Sequence, residues 1–239
     1  MSEPVLLDSN THKNTRVLGD ARTVVGPVSR NCSVITQEFQ RLASHFPVLL
    51  TKNEDTGQFA CVALFGFDPG ENLFVEKDRW QVGYVPLNIR RHPFMIGAQT
   101  TPAGEEEHVM LIDMQSERIS EQDGEALFND RGFPTPFTEN MTSVLKTLKD
   151  GFVETQDFIQ ALLEQEMIVP ANFEIQFRNG ERREINGLYT ISQDALDALT
   201  PEQVVAMHRS GHLQAAYMMI ASLGQMEQLI ERKNQRLGA

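Results

Sequence analysis

Aromatic and basic side chains are concentrated between Trp80 and Phe94, in the sequence WQVGYVPLNIRRHPF. The guanidinium groups of Arg90 and Arg91 offer planar forks of donors that suit a carboxylate or a phosphate. Trp80 and Tyr84 add rigid aromatic walls, and the two prolines of the segment fix backbone angles around them. The segment therefore predicts a surface that binds an anionic ligand.

Two interpretations of this segment remain open. In the first, Arg90, Arg91 and His92 receive a carboxylate, a phosphate or an acidic peptide, with Trp80 and Tyr84 as the walls of the site. In the second, one arginine pairs with a buried acid and the aromatic side chains belong to the core, because such residues are usually buried. The position of the guanidinium groups in the folded chain decides between them.

Glu71 and Asn72 follow the turn at Pro69-Gly70 and complete the set of candidate ligand-binding residues. The carboxylates of Asp68 and Glu71 could divide acid and base roles if their environments differed. Acidic side chains also occupy turns because they accept hydrogen bonds from nearby backbone amides, and Asn72 can cap a turn in the same way. A structural role is the favoured interpretation of the acids, so the catalytic residues remain unknown.

Common catalytic and metal-binding motifs are absent from the sequence. It contains no Walker loop, GxGxxG turn, GxSxG elbow or HExxH helix, and no histidine begins a His-x-carboxylate pair. His208 and His212 have the spacing of two metal ligands on one helix face, but Gly211 lies between them and would separate the rings. We therefore expect no metal site, and the cofactor, if any, is unknown.

Composition and charge exclude several classes of protein. The chain has 239 residues, of which 41% are hydrophobic and 23% charged, as is typical of a folded domain. Its net charge of −12 would repel nucleic acid and anionic membranes. No stretch resembles a signal peptide or a membrane span, and the two cysteines lack the spacing of a disulfide framework, so we expect a cytoplasmic protein.

Proline, glycine and hydrophobic periodicity predict the organisation of the chain. Residues 1–30 are expected to form an extended N-terminal arm, and residues 31–239 a single domain that becomes rich in helix from about residue 137. β-Branched, aromatic and alternating apolar residues predict strands within 47–75, 108–114 and 172–190. The first range is expected to hold a hairpin from about 47 to 67 and a short strand from Asn72 to Val75, and the last a hairpin whose second strand returns from Arg183 to Thr190. We expect these segments to form one mostly antiparallel sheet with helices packed on one side, an α+β fold.

Apolar stripes predict two long helices, at 138–167 and 212–234, which form a helical C-terminal subdomain and pack on each other. Thr200-Pro201-Glu202-Gln203 has the pattern of a capping box, so a further helix begins there. Methionines broaden the apolar face of the last helix. They could contact a second copy of the chain, although filling of the core is the favoured interpretation.

Several segments, taken in order, resemble one known family over roughly residues 12 to 230. The most specific are Gly70-Glu71-Asn72-Leu73-Phe74 and the pattern YVP…RRHPF. The others are His45-Phe46-Pro47, GFDPGENLF, Trp80, Thr155 with Phe158, and Gly187-Leu188-Tyr189. Together they are similar to the bacterial SapC-like family, whose name comes from an association with surface-layer proteins.

The resemblance implies a biological setting without implying a reaction. Members of the family often occur beside TonB-dependent receptors, flavin-dependent halogenase-like proteins and cupin-type oxygenases, which implies nutrient acquisition or peptide modification. The family is distinct from the peptide-transporter permease of the same name, which spans the membrane.

The residues and the resemblance together lead us to expect a non-catalytic binding or accessory protein of a bacterial surface-uptake or peptide-modifying system. Its ligand would be a small anionic molecule or a peptide, and a protein of a TonB-linked system would be its partner. One alternative is a peptide-modifying oxygenase or hydrolase whose active-site residues are dispersed along the chain. The other is a subunit of a homo-oligomer that uses the C-terminal helix as its interface.

Overall fold

The structure is a computed structural model that describes residues 4–18, 29–100 and 104–238. These residues divide into two compact units. The first unit takes the described residues within 1–27, 77–80 and 87–150. The second takes those within 28–76, 81–86 and 151–239.

The described residues form runs of short strands separated by single helices, and they end in four successive helices. This is the α+β class that the sequence predicts. The strands are β1 Val5–Leu6, β2 Arg16–Val17, β3 Asn31–Ser33, β4 Val48–Lys52, β5 Phe59–Leu64, β6 Val75–Glu76, β7 Arg79–Trp80, β8 Phe94–Thr100, β9 Glu106–Ile112, β10 Ile119–Ser120, β11 Glu125–Ala126, β12 Ile168–Pro170, β13 Phe173–Gln176, β14 Arg182–Ile185 and β15 Leu188–Ile191. The helices are α1 Phe39–Leu42, α2 Leu87–Arg90, α3 Pro136–Glu164, α4 Gln193–Asp197, α5 Pro201–Arg209, α6 His212–Ser222 and α7 Gln225–Arg236, and a 3₁₀ turn, Thr36–Glu38, precedes α1.

Two small antiparallel sheets build the first unit. One has the order β1-β9-β8, and the other places β2 between β10 and β11. Phe94 lies opposite Ile112 and both are fully buried, which gives this unit its own core. Strands β1 and β2 bring part of the predicted N-terminal arm into these sheets. Much of the remaining arm lies outside the described residues, so the arm stays a prediction.

A five-stranded antiparallel sheet organises the second unit, in the order β12-β15-β4-β5-β3. At its centre β4 pairs with β5 in a continuous register from Val48 opposite Ala63 to Lys52 opposite Phe59, which confirms the predicted hairpin. Val48, Leu49 and Leu50 of β4 are fully buried. A segment covered on both faces has no polar side, which is why these three residues form an apolar run, whereas Thr51 and Lys52 at the end of β4 are more exposed.

The sheet differs from the expected one in three places. The strand expected at 108–114 is β9, and it belongs to the first unit rather than to the central sheet. Asn72 does not begin a strand, because its side-chain oxygen accepts a hydrogen bond from the amide of Phe74 and bends the backbone. The return strand expected from Arg183 onward is split at Gly187 into β14, which pairs with β13, and β15, which joins the central sheet.

The helices also show one difference. Helix α3 is continuous, whereas the expected final helix is broken at Gly224 into α6 and α7. Helix α6 packs against α1, α5, β4 and β15, and it meets α3 through a ring contact of 5.7 Å between His212 and Phe158. Met219 and Met226 are buried, in agreement with a core role, and the capping box of Thr200 is confirmed.

Gly151 provides a test of packing within the second unit. A Cβ atom there would lie 2.5 Å from Cδ1 and 3.1 Å from Cβ of Ile35, which is itself fully buried. Gly151→Ala should therefore lower the free energy of unfolding by about 1–3 kcal/mol, although glycine is normally unfavourable inside a helix. Urea unfolding followed by circular dichroism measures the change.

The matched control is Gly224→Ala, because Gly224 has helical angles and its nearest atom, the carbonyl oxygen of Ala221, would lie 3.5 Å from the new Cβ. This variant should be unchanged or more stable by up to about 1 kcal/mol. Equal effects of the two substitutions would contradict the packing argument.

Candidate functional site

The segment from Phe39 to Phe46 forms one wall of a groove in the second unit. Phe39, Leu42 and Phe46 recur at steps of three and four, and all three are buried. The ring of Phe39 contacts Phe158 at 6.0 Å, and the ring of Phe46 contacts Phe74 at 4.7 Å. This inward face fixes the short helix α1, so the residues between the anchors are directed outward.

We call the space beside these outward residues the Tyr84 groove. It has a volume of about 560 Å³ and is lined by Gln40, Arg41, Ser44, His45, Gly83 and Tyr84. None of these side chains is acidic, in a chain whose net charge is −12. The groove therefore presents hydrogen-bond donors and a positive charge to solvent.

Tyr84 is held in a fixed orientation at the wall of this groove. Its hydroxyl donates a hydrogen bond of 2.8 Å to the carboxylate of Glu38, which is 2% exposed. The guanidinium carbon of Arg41 lies 5.4 Å from the centroid of the Tyr84 ring, within the range of a cation–π contact. Within the described part of the chain the Arg41 guanidinium has no hydrogen bond and no ion pair, so its donors face the groove uncommitted.

Gly83 keeps the groove open. A Cβ atom at this position would lie 3.8 Å from Nε2 of His45, an ordinary van der Waals contact. Its φ angle is not in the left-handed region, so a side chain can be introduced there without backbone strain. A larger side chain at Gly83 would occupy the groove and leave Arg41 and Tyr84 in place.

The predicted arginine pair lies in the first unit, and its two members differ. Arg91 donates from Nε to Oδ1 of Asn88 at 2.6 Å and from Nη1 to the carbonyl of Phe94 at 2.8 Å, so much of its fork serves the structure of the unit. Arg90 is half-buried, and its guanidinium bonds to no residue that the structure describes. Trp80, which belongs to the same unit, is buried.

His92 lies next to this pair and is neutral at neutral pH. Partial burial of the ring and then the charges of Arg91 and Arg118 lower the pKa of His92 to about 4. The residue as a whole nevertheless remains exposed to solvent. The buried Arg118, which stands in no recognisable motif, donates to the carbonyl oxygens of His92 at 2.7 Å and Leu18 at 3.0 Å.

Glu71 and Asn72 lie in the second unit and have structural partners. Nζ of Lys233 lies 2.7 Å from both Oε1 of Glu71 and Oδ2 of Asp68, and Lys233 is 8% exposed. The other oxygen of Glu71 accepts a hydrogen bond of 2.8 Å from the amide of Phe67. We call Asp68, Glu71 and Lys233 the carboxylate–lysine cluster; it fastens α7 to the turn at residues 68–71.

His208 and His212 lie in two different helices. Helix α5 stops at Arg209 and α6 begins at His212, with Gly211 between them at φ +79°. The break expected at Gly211 is therefore present. Among the described residues, no three His, Cys, Asp or Glu side chains are grouped so that they could hold a metal ion.

Comparison with known families agrees with the residues quoted above. The family model described as SapC matches residues 7–229, nearly the whole chain. The chain belongs to the SapC family. No curated protein and no solved structure matches it. None of the helices described in this SapC-family chain combines the length and apolar character that crossing a bilayer requires.

The segments that resemble the SapC family include one residue of the Tyr84 groove that was not predicted as a ligand contact. His45 belongs to the His45-Phe46-Pro47 segment that carries part of the resemblance, yet it was not a candidate ligand residue. Arg41 and Gly83 stand in no recognisable motif. Tyr84 is the one predicted ligand residue that lines the groove, while the other predicted contacts stay predictions.

The carboxylate–lysine cluster makes stability depend on pH at both ends of the scale. The hydrogen bond from Lys233 lowers the pKa of Asp68, so this stabilisation is complete above about pH 4 and is lost as pH falls through the folded value. Burial alone would lower the pKa of Lys233, but hydrogen bonds to Asp68 and Glu71 outweigh it and raise it. That contribution is complete below about pH 10 and is lost as pH rises further.

Lys233→Met should lower the free energy of unfolding by about 2 kcal/mol near pH 7, because it removes the ammonium that two adjacent carboxylates share. Asp68 then keeps only the longer contact of 3.4 Å from Nε of Arg183, and Glu71 keeps no cation among the described residues. Urea unfolding at a series of pH values measures the loss, which should shrink toward both acid and alkaline pH. Lys149→Met, at an exposed position of α3, is the control and should change little. A loss for Lys233→Met that stays constant across pH would contradict this assignment.

Proposed function

We propose that this SapC-family protein is a non-catalytic binding protein and that the Tyr84 groove receives a carboxylate of a small anionic molecule or peptide. The observation that carries the proposal is the Arg41 guanidinium, which stacks on Tyr84 and has no acidic partner among the described residues. What sets Arg41 apart is the combination of this uncommitted guanidinium with the orienting contact of the Tyr84 ring and a lining without acidic side chains.

The physical case begins with preorganisation. The hydrogen bond between Tyr84 and Glu38 fixes the ring, and the ring in turn orients the arginine fork. Little side-chain freedom then remains to be lost when a ligand binds. A fork of parallel donors suits the two oxygens of a carboxylate, and the hydroxyl of Ser44 and the imidazole of His45 add further polar contacts.

The expected affinity is modest. A hydrogen-bonded pair between charged groups contributes about 1.5–3 kcal/mol, less where water screens it, and the groove is open to solvent. One such anchor with a few polar contacts corresponds to a dissociation constant of about a millimolar. Further contacts from the rest of the ligand are needed for tighter binding.

Family membership supports the wider setting of the proposal. We place this binding role in the cytoplasm, as an accessory to bacterial surface nutrient uptake or peptide modification, with a protein of such a system as partner. In the first unit, Arg90, whose guanidinium bonds to no described residue, remains a candidate contact for an anion, and so do Trp80, Arg91 and His92. Glu71 and Asn72 remain candidate contacts in the second unit.

The test uses a pair of probes that differ only at the carboxyl end: N-acetyl-Ala-Ala and its C-terminal amide. Isothermal titration calorimetry should show that the acid binds about tenfold more tightly, because only the acid pairs with Arg41. Added salt should reduce this preference. Arg41→Gln should abolish the preference, and Gly83→Leu should weaken both probes by filling the groove.

Arg131→Gln is the matched control, since Arg131 is exposed and does not line the groove. Thermal melts of all variants show whether they remain folded. The proposal fails if the wild-type protein binds acid and amide equally, or if Arg41→Gln behaves as Arg131→Gln does.

A further inference from the structure

A second cavity, of about 570 Å³, lies in the second unit and also has Gln40 in its lining. We call it the His212 pocket. Gln40 lines both this pocket and the Tyr84 groove, so the two spaces adjoin at one side chain. Helices α1, α3 and α6 supply most of its walls.

The α3 wall of the His212 pocket is acidic. Glu154 and Asp157 are three residues apart in α3, a spacing that places them on one face of a helix, and both line the pocket. Glu154 accepts a hydrogen bond from Gln37. Asp157 is exposed, and its carboxylate forms no hydrogen bond with any residue in the described ranges. The wall therefore offers one carboxylate that is oriented by a neighbour and one that is uncommitted.

No cationic side chain of the pocket neutralises these acids. The described residues that line it include no arginine and no lysine. Burial lowers the pKa of His212, and the charge of Asp157 only partly offsets this, so the imidazole is neutral at pH 7. The His212 pocket thus carries negative charge, whereas the adjoining Tyr84 groove carries positive charge.

The remaining lining suits a peptide. Met218, which is half-buried, is the most exposed apolar side chain of this lining, while Phe39 and Ala215 lie beneath it in the core. The amides of Gln40 and Gln214 can both donate to and accept from peptide groups. The backbone amides at the start of α6 are the positive end of a helix, which would disfavour a cation beside Gly211. A bound ammonium would therefore lie toward the α3 wall, next to Asp157.

We propose that the His212 pocket and the Tyr84 groove form one binding surface for a short peptide with free ends, whose ammonium lies beside Asp157 and Glu154 and whose carboxylate lies beside Arg41. Gln40, between them, bonds to the peptide backbone. This inference rests on the proposed function and deepens it, because it names the ligand class. Opposite charges on the two sides of one shared amide side chain are the feature that favours a zwitterionic peptide over a simple anion.

The experiment uses trialanine in four forms: both ends free, N-acetylated, C-amidated, and blocked at both ends. Calorimetry on the full chain should give the tightest binding with both ends free, with a loss of about tenfold on N-acetylation and a similar loss on C-amidation. The advantage of the free amino end should disappear as pH rises above about 8, where the peptide ammonium loses its proton. The advantage of the carboxylate should persist there.

Single substitutions test the binding of the amino end and of the carboxyl end of the peptide separately. Asp157→Asn should abolish the preference for a free amino end and keep the preference for a free carboxylate, and Arg41→Gln should do the opposite. Asp197→Asn, at an exposed position in α4 that lines neither cavity, is the matched control and should retain both preferences. Gln40→Ala should weaken every form to a similar degree.

The outcomes distinguish this inference from the proposed function. If N-acetylation has no effect while the carboxylate preference depends on Arg41, the His212 pocket does not bind an ammonium and the proposed function stands. If Asp157→Asn matches Asp197→Asn, the assignment of the pocket is likewise overturned. If the carboxylate preference is absent, the proposed function fails, and this inference fails with it.

Discussion

Burial of Phe39, Leu42 and Phe46 is the constraint on which the candidate site depends. Helix α1 has only four residues, too few to be stable by its own hydrogen bonds. Apolar contacts with α3 and α6 therefore determine its position. Because those contacts fix one face, the side chains between them are presented at constant positions on the other face. A short helix anchored in this way can carry a binding surface that a free loop could not hold.

Local patterns in the sequence were sufficient for local structure. The apolar run of β4, the alternation in β13 and the capping box of Thr200 each depend on residues that are close in the chain. Partners distant in the chain were not predictable in the same way. The strand at 108–114 has the alternation of any antiparallel strand, and nothing in its residues shows that it pairs within a separate sheet. Its assignment to the central sheet was wrong for that reason.

The candidate site shows the same limit. Tyr84 was selected because it stands in a dense aromatic and basic segment, whereas Arg41 stands alone in an ordinary helical stretch. Only folding brings the two side chains together. Arg91, in contrast, looks from its sequence like half of an anion clamp, yet much of its fork bonds to Asn88 and Phe94 of its own unit. Composition identified a region rich in suitable side chains and could not show which of them are already engaged.

The enclosure of Lys233 also makes it chemically distinct from the other lysines of the chain, which are all exposed. Its ammonium is protonated and held between two carboxylates, so it cannot act as a nucleophile toward acylating reagents while α7 stays docked. Acylation of Lys233 would require the last helix to separate from the turn beneath it. Mass spectrometry of lysine labelling would thus report, from one amine, how often that helix opens.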